Sequence, residues 1–187
     1  MDATGAAETP EPAAAAPLPA TGELRFAILG DRTGSAVPGV YESIADQVAD
    51  FGPAFVLTVG DHIEGYTEDP AELAREWSEY QDIRERLHAP FFPCPGNHDL
   101  TTRGMLAAWK EATGREPCYS FDEDGIHFII LDASRWESSE QWLRESGYSE
   151  WLRRDLESNS GARFTVVVLH KAVLVSHPGR GEARPAA

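Results

Sequence analysis

The stretch Phe91-Phe92-Pro93-Cys94-Pro95-Gly96-Asn97-His98-Asp99 decides the fold. An apolar run ends in Pro-Gly, and the turn delivers an amide, an imidazole and a carboxylate side by side. Asn offers a carbonyl oxygen to a cation or an N–H to a phosphate. Imidazole binds metal or moves protons near neutral pH, and a nearby carboxylate can fix its tautomer. Open α/β sheets bind ligands beyond the carboxyl ends of their strands, which is where this cluster falls. The plain alternative is an ordinary polar turn, and the rest of the chain weighs against it.

Working outward, other apolar runs stop in the same way. Residues 24–29 end at Gly30-Asp31, residues 55–59 at Gly60-Asp61, and residues 164–169, the most β-branched run, at His170-Lys171. Each reads as a buried strand. Between them, residues 41–51 carry Ile44, Val48 and Phe51 at helical spacing, and Gly52-Pro53 stops them. Pro70 opens a longer helix with Leu73, Trp77, Tyr80, Ile83 and Leu87 on one side. Residues 101–113 form a third helix ended by Gly114. Asp122-Glu123-Asp124-Gly125 joins two apolar runs as a hairpin. Trp142 and the set Trp151, Leu152, Leu156 suggest one broken or two short helices. This alternation predicts an α/β fold with a mixed β-sheet flanked by helices. Parallel neighbours would bring Asp31, Asp61, Asn97-His98-Asp99 and His170 to one edge of one sheet.

The chain has 187 residues, enough for one domain with a core. The expected organisation is an Ala/Pro-rich disordered leader at 1–22, a domain at 23–176 and a disordered tail at 177–187. Sixteen Lys and Arg against 31 Asp and Glu give a formal charge of −15. Such a surface repels nucleic-acid backbones and anionic membranes, so neither is an expected partner. A phosphate substrate is compatible with it, because bound metal can dominate a site's local field. No glycine-rich nucleotide loop follows any strand. Cys94 and Cys118 have no metal-ligand spacing and read as small buried hydrophobes. No run is long enough to span a membrane. The N-terminus carries no signal peptide as written, a cytoplasmic expectation. Its Ala/Pro content also suits the spacer behind a cleaved signal, so an earlier start site would place the protein outside the cytoplasm.

Two Asp, an Asn and a His supply hard oxygen and borderline nitrogen donors. The set suits Mn, Fe or Zn better than Cu(I), Ca or Mg. Two such metals can clamp a phosphoryl group and activate water. Gly30-Asp31, Gly60-Asp61, Gly96-Asn97-His98-Asp99 and the strand running into His170 resemble the calcineurin-like metallophosphoesterases, over residues 24–175. The resemblance implies an α/β/β/α sandwich with a dinuclear metal site that cleaves a phosphate ester by metal-activated water. It implies Asp31 on the first metal, Asp61 bridging, Asn97 and His170 on the second, and His98 acting on the phosphate. Asp99 would orient His98 or its loop, and Arg32 would contact phosphate or form a surface ion pair.

The sequence also departs from the family. Thr33 stands where an imidazole is common. The purple acid phosphatase branch places a Tyr three residues after the bridging Asp, where this chain has Glu64, a substitute ligand in expectation; Tyr66 is shifted from that place. A closing Gly-His-x-His does not occur before Ala187, and His177 is a poor stand-in, so the domain at 23–176 is expected to be incomplete, a sandwich lacking its C-terminal portion. Weak metal binding and low activity are therefore expected of this chain. The alternative expectation is a catalytically impaired remnant that binds phosphate or a partner.

Overall fold

Three of the apolar runs pair side by side in a computed structural model that describes residues 24–34, 36–134 and 147–171. Strands β1 (Ala27–Leu29), β2 (Val56–Thr58) and β3 (Phe91–Phe92) form a parallel sheet in that order. Ala27 lies opposite Val56, and Val56 opposite Phe91. Parallel pairing requires long crossovers, supplied here by helices α1 (Val40–Phe51) and α2 (Pro70–Glu85). Helix α3 (Arg103–Thr113) follows β3. The helix ends obey local chemistry. Asp69 accepts from the Ala71 amide ahead of Pro70, Thr102 accepts from Met105, and Gly114 closes α3 at a left-handed φ of 67°.

One predicted stripe is rotated. On α1 the packed face is Tyr41, Ala45 and Val48, while Ile44 and Phe51 are exposed. The i, i+4, i+7 set that includes small Ala45 faces the sheet, and the Phe51 ring lies beneath the Arg25 guanidinium at 5.5 Å.

The predicted hairpin forms from β4 (Tyr119–Glu123) and β5 (Ile126–Ile130). Asp124 and Gly125 have φ of 49° and 71°, the positive pair that a two-residue primed turn demands. The hairpin does not extend the first sheet. It starts a second one, in which β6 (Phe164–Val168) pairs parallel to β5 after helix α4 (Tyr148–Ser158). The expectation of four polar strand ends on one sheet is thus corrected: His170 follows a strand of the second sheet.

Three apolar clusters account for the layering. Leu73, Trp77, Ile83, Met105 and Trp109 pack the helices α2 and α3 on Leu29 and Val56 of the first sheet. Phe55, Leu57 and Cys94 meet Tyr119, Phe128, Ile130 and Val168 between the sheets. Rings fill that interface, with Phe92 stacked on Phe121 at 3.6 Å and Phe55 edge-on to Phe128 at 5.3 Å. Cys118, Ile129, Tyr148 and Trp151 seal α4 onto the second sheet. The order is helices, sheet, sheet, helix, a mixed α/β sandwich. Among the described residues β6 pairs with β5 alone and exposes Phe164 and Val167, an unprotected edge. Trp142, His177 and the expected leader and tail lie outside the described residues. No helix among the described residues is long and apolar enough to cross a membrane.

Candidate metal centre

The loops after β2 and β3 are joined by one carboxylate. Asp99 is fully buried and accepts from the amides of Asp61 (2.9 Å), His62 (2.7 Å), Ile63 (3.3 Å) and Gly96 (2.8 Å), and from His62 Nδ1 (2.8 Å). Burial pushes this carboxyl up. The His62 ring beside it and the Gly96 and His62 amides outweigh that, and it sits below its usual value. Asp99 therefore faces His62 and the loop backbone, not the His98 ring beside it in sequence.

Two glycines let the loops close. A Cβ on Gly60, whose φ is 109°, would lie 2.6 Å from His170 Nδ1. A Cβ on Gly96 would overlap the Asp61 carboxylate and amide. Asp61 itself holds a left-handed φ of 58°, a strained conformation for a residue with a side chain.

The closed loops gather acceptors. Ligand atoms of Asp31, Asp61 and His170 lie within 4.8 Å of one another. The His170 Nδ1–H donates to the Val59 carbonyl at 2.7 Å, which fixes the ring's orientation and points Nε2 into the cluster. There Nε2 lies 3.4 Å from Asp61 Oδ2 and 3.1 Å from Asn97 Oδ1. A ring lone pair facing two oxygen acceptors is unfavourable unless a cation or proton sits between them. This donor set of carboxylate, amide oxygen and imidazole fits a divalent transition metal. Asp31 is half exposed, with Oδ1 3.9 Å from His170 Nδ1.

His98 sits at the rim. Its Nδ1–H donates to the Glu64 carbonyl at 2.7 Å, its amide donates to Asp61 Oδ1 at 3.0 Å, and Nε2 lies 3.9 Å from Asp61 Oδ2. Glu64 thus contributes its backbone. Its carboxylate is exposed and lies outside the Asp31, Asp61 and His170 cluster. The chain turns sharply through left-handed Gly65 and Tyr66, so Tyr66 returns to the site instead. Its hydroxyl accepts from Asn97 Nδ2 at 2.6 Å, and its ring lies 4.6 Å from the His98 ring.

Arg32 makes the ion pair that was one of its two expected roles. Its guanidinium donates to the His62 carbonyl at 3.1 Å and pairs with Glu79 at 3.8 Å. Thr33 donates its hydroxyl to the Asp61 carbonyl, so it braces the loop.

His62 carries more structure than its sequence position suggested. Its Nε2 bonds Thr58 Oγ1 at 2.6 Å, and the rings of Tyr80 and Trp109 pack against it at 4.8 and 5.8 Å. The available signal was its place inside a loop flanked by the strongly apolar α2 face.

The family model for calcineurin-like phosphoesterases matches residues 24–185. Among solved structures, a dimetal phosphatase from Danio rerio superposes with a TM-score of 0.59 at 12% identity, covering 80% of this chain and 70% of that one. No curated protein sequence matches. The structural likeness at that identity speaks for the fold alone, two sheets packed face to face.

Proposed function

We propose, from the premise that this chain belongs to the calcineurin-like phosphoesterases, that it hydrolyses a phosphate ester using divalent cations held by Asp31, Asp61, Asn97 and His170. The observation that carries this reading is the convergence of the Asp31, Asp61 and His170 ligand atoms within 4.8 Å at the ends of strands from two sheets. A cation bound there supplies positive charge for phosphoryl oxygens and acidity for a water.

The chain's own residues do the rest. His170, braced on Val59, presents Nε2 beside Asp61 and the Asn97 oxygen. Asp61 Oδ1 accepts the His98 amide, which leaves Oδ2 for ligation. His98, held through Nδ1–H by the Glu64 carbonyl, turns Nε2 toward Asp61 Oδ2, where it can donate to a phosphoryl or leaving oxygen when the ring is protonated. Asp99 acts through position, since it locks the two ligand-bearing loops together. A phosphorylated substrate follows from the family.

One observation favours a second reading, an impaired phosphate- or partner-binding domain. Thr33 donates its hydroxyl to the Asp61 carbonyl, and among the described residues exposed Asp31 shares its cluster only with Asp61 and His170. Chelator-treated protein titrated with Mn2+ separates the two readings. The enzyme reading expects a rise in melting temperature by mass action and hydrolysis of an aryl phosphate. Asp61→Ala should lose both. His98→Ala should keep the thermal shift while kcat falls on the order of a hundredfold or more. A shift without hydrolysis supports the binding reading, and neither response to Mn2+ or Zn2+ overturns the metal assignment.

A further inference from the structure

We infer that Tyr66 is a positioning residue for the candidate centre: its hydroxyl holds the Asn97 amide so that the carbonyl end, not the N–H end, faces the cation. The inference rests on the metal reading above and deepens it. A side-chain amide has two ends of similar shape and opposite chemistry, and only its hydrogen bonds decide which end points where. Inside the centre, Asn97 Oδ1 meets His170 Nε2 at 3.1 Å, and His170 Nδ1 is already committed to the Val59 carbonyl. An unprotonated Nε2 would favour the opposite, N–H-inward orientation of the amide. The orientation that suits a cation therefore needs an acceptor outside the centre, and the Tyr66 hydroxyl is that acceptor, 2.6 Å from Nδ2.

Packing gives Tyr66 little reason to be where it is. Its side chain is 60% exposed, so the core does not require it. Its φ of 54° follows Gly65 at 61°, two successive left-handed residues, one of them bulky. Backbone strain of this kind persists where the surroundings enforce it. Here they do. The Gly65 amide donates to the buried Glu76 carboxylate at 2.9 Å, and a Cβ on Gly65 would overlap the His98 carbonyl. The bend folds the phenol over both motif side chains, its ring 4.6 Å from that of His98 at 63°.

The test is Mn2+ affinity by equilibrium dialysis on the full chain, alongside the melting temperature in chelator. Tyr66→Phe keeps the ring and removes the acceptor. It should weaken Mn2+ binding about fivefold, the size of one neutral hydrogen bond, with the melting temperature in chelator unchanged. Asn97→Asp presents oxygen at both ends, so in that background Tyr66→Phe should cost no Mn2+ affinity. In an Asn97→Ala background it should likewise add no further loss. Wild-type affinity in Tyr66→Phe, or an equal loss in all three backgrounds, overturns the inference while leaving the metal site standing. A wild-type chain that binds no Mn2+ overturns the metal reading and this inference together.

Discussion

Asp99 meets five donors with two oxygens and touches no solvent. Asn in its place would have one accepting oxygen and would turn an N–H2 toward backbone N–H groups. Asp99→Asn should therefore lose about 3 kcal/mol or more of stability in urea unfolding with chelator present. Because the folded carboxyl lies below its usual value, its contribution is present above the unfolded pKa of about 3.9 and is lost as pH falls through the folded value. The variant should accordingly show a flatter acid limb than the wild type. A loss below 1 kcal/mol would remove Asp99 as the loop fastener. The convergence of Asp31, Asp61, Asn97 and His170 was legible because each follows an apolar run. The partners were not. Asp99 adjoins His98 in sequence, yet its imidazole partner is His62, 37 residues away. Glu64 has the expected spacing, but Gly65 and Tyr66 at positive φ send its carboxylate outward and the phenol inward. Spacing counts residues and does not register the hand of a backbone turn.

At the scale of elements, local chemistry carried the reading further. Pro70 behind Asp69, Gly114, and Asp124-Gly125 each specify their ends or turn through backbone preference alone. Pairing was less legible, because which strand lies beside β5 depends on contacts far along the chain. The joint that fixes α4 to the second sheet is a buried histidine. His127 bonds Asp122 at 2.8 Å through Nδ1 and Asp155 at 2.7 Å through Nε2, and Asp155 also accepts from Ser120 at 2.7 Å. Asp155 is fully buried on α4. His127→Ala would leave that carboxylate with the Ser120 hydroxyl on one oxygen and an orphaned second oxygen, and should destabilise the protein by about 3–5 kcal/mol. His127→Gln, which can restore one of the two bonds, should cost less. Urea unfolding followed by tryptophan emission measures both; equal, small losses would mean that water or neighbouring groups satisfy Asp155 without the imidazole.

For the whole molecule, the question is whether four layers unfold as one. The two thiols sit at different interfaces: Cys94 between the sheets, Cys118 between the second sheet and α4. Burial pushes both well above the ordinary thiol range. Neither should react with a disulfide reagent at pH 8 while the protein is folded. The sign of the linkage follows. A raised folded pKa stabilises fully below the unfolded value of about 8.5, and that contribution is lost as pH rises toward the folded value, so stability should decline on the alkaline side. The thiols also report order of opening. Tyr119 of the second sheet donates its hydroxyl to the Pro93 carbonyl beside β3, and the Phe92–Phe121 stack spans the same gap, so the sheets are tied to each other. His127 ties α4 to that pair. In the wild type, then, Cys94 and Cys118 should become reactive at one denaturant midpoint. In His127→Ala, α4 loses its polar anchor and keeps only its apolar seal, so Cys118 should open at lower denaturant than Cys94. If Cys94 opened first in either protein, the weak seam would lie between the sheets, and the strand ends of the candidate centre, drawn from both sheets, would come apart before the helix did.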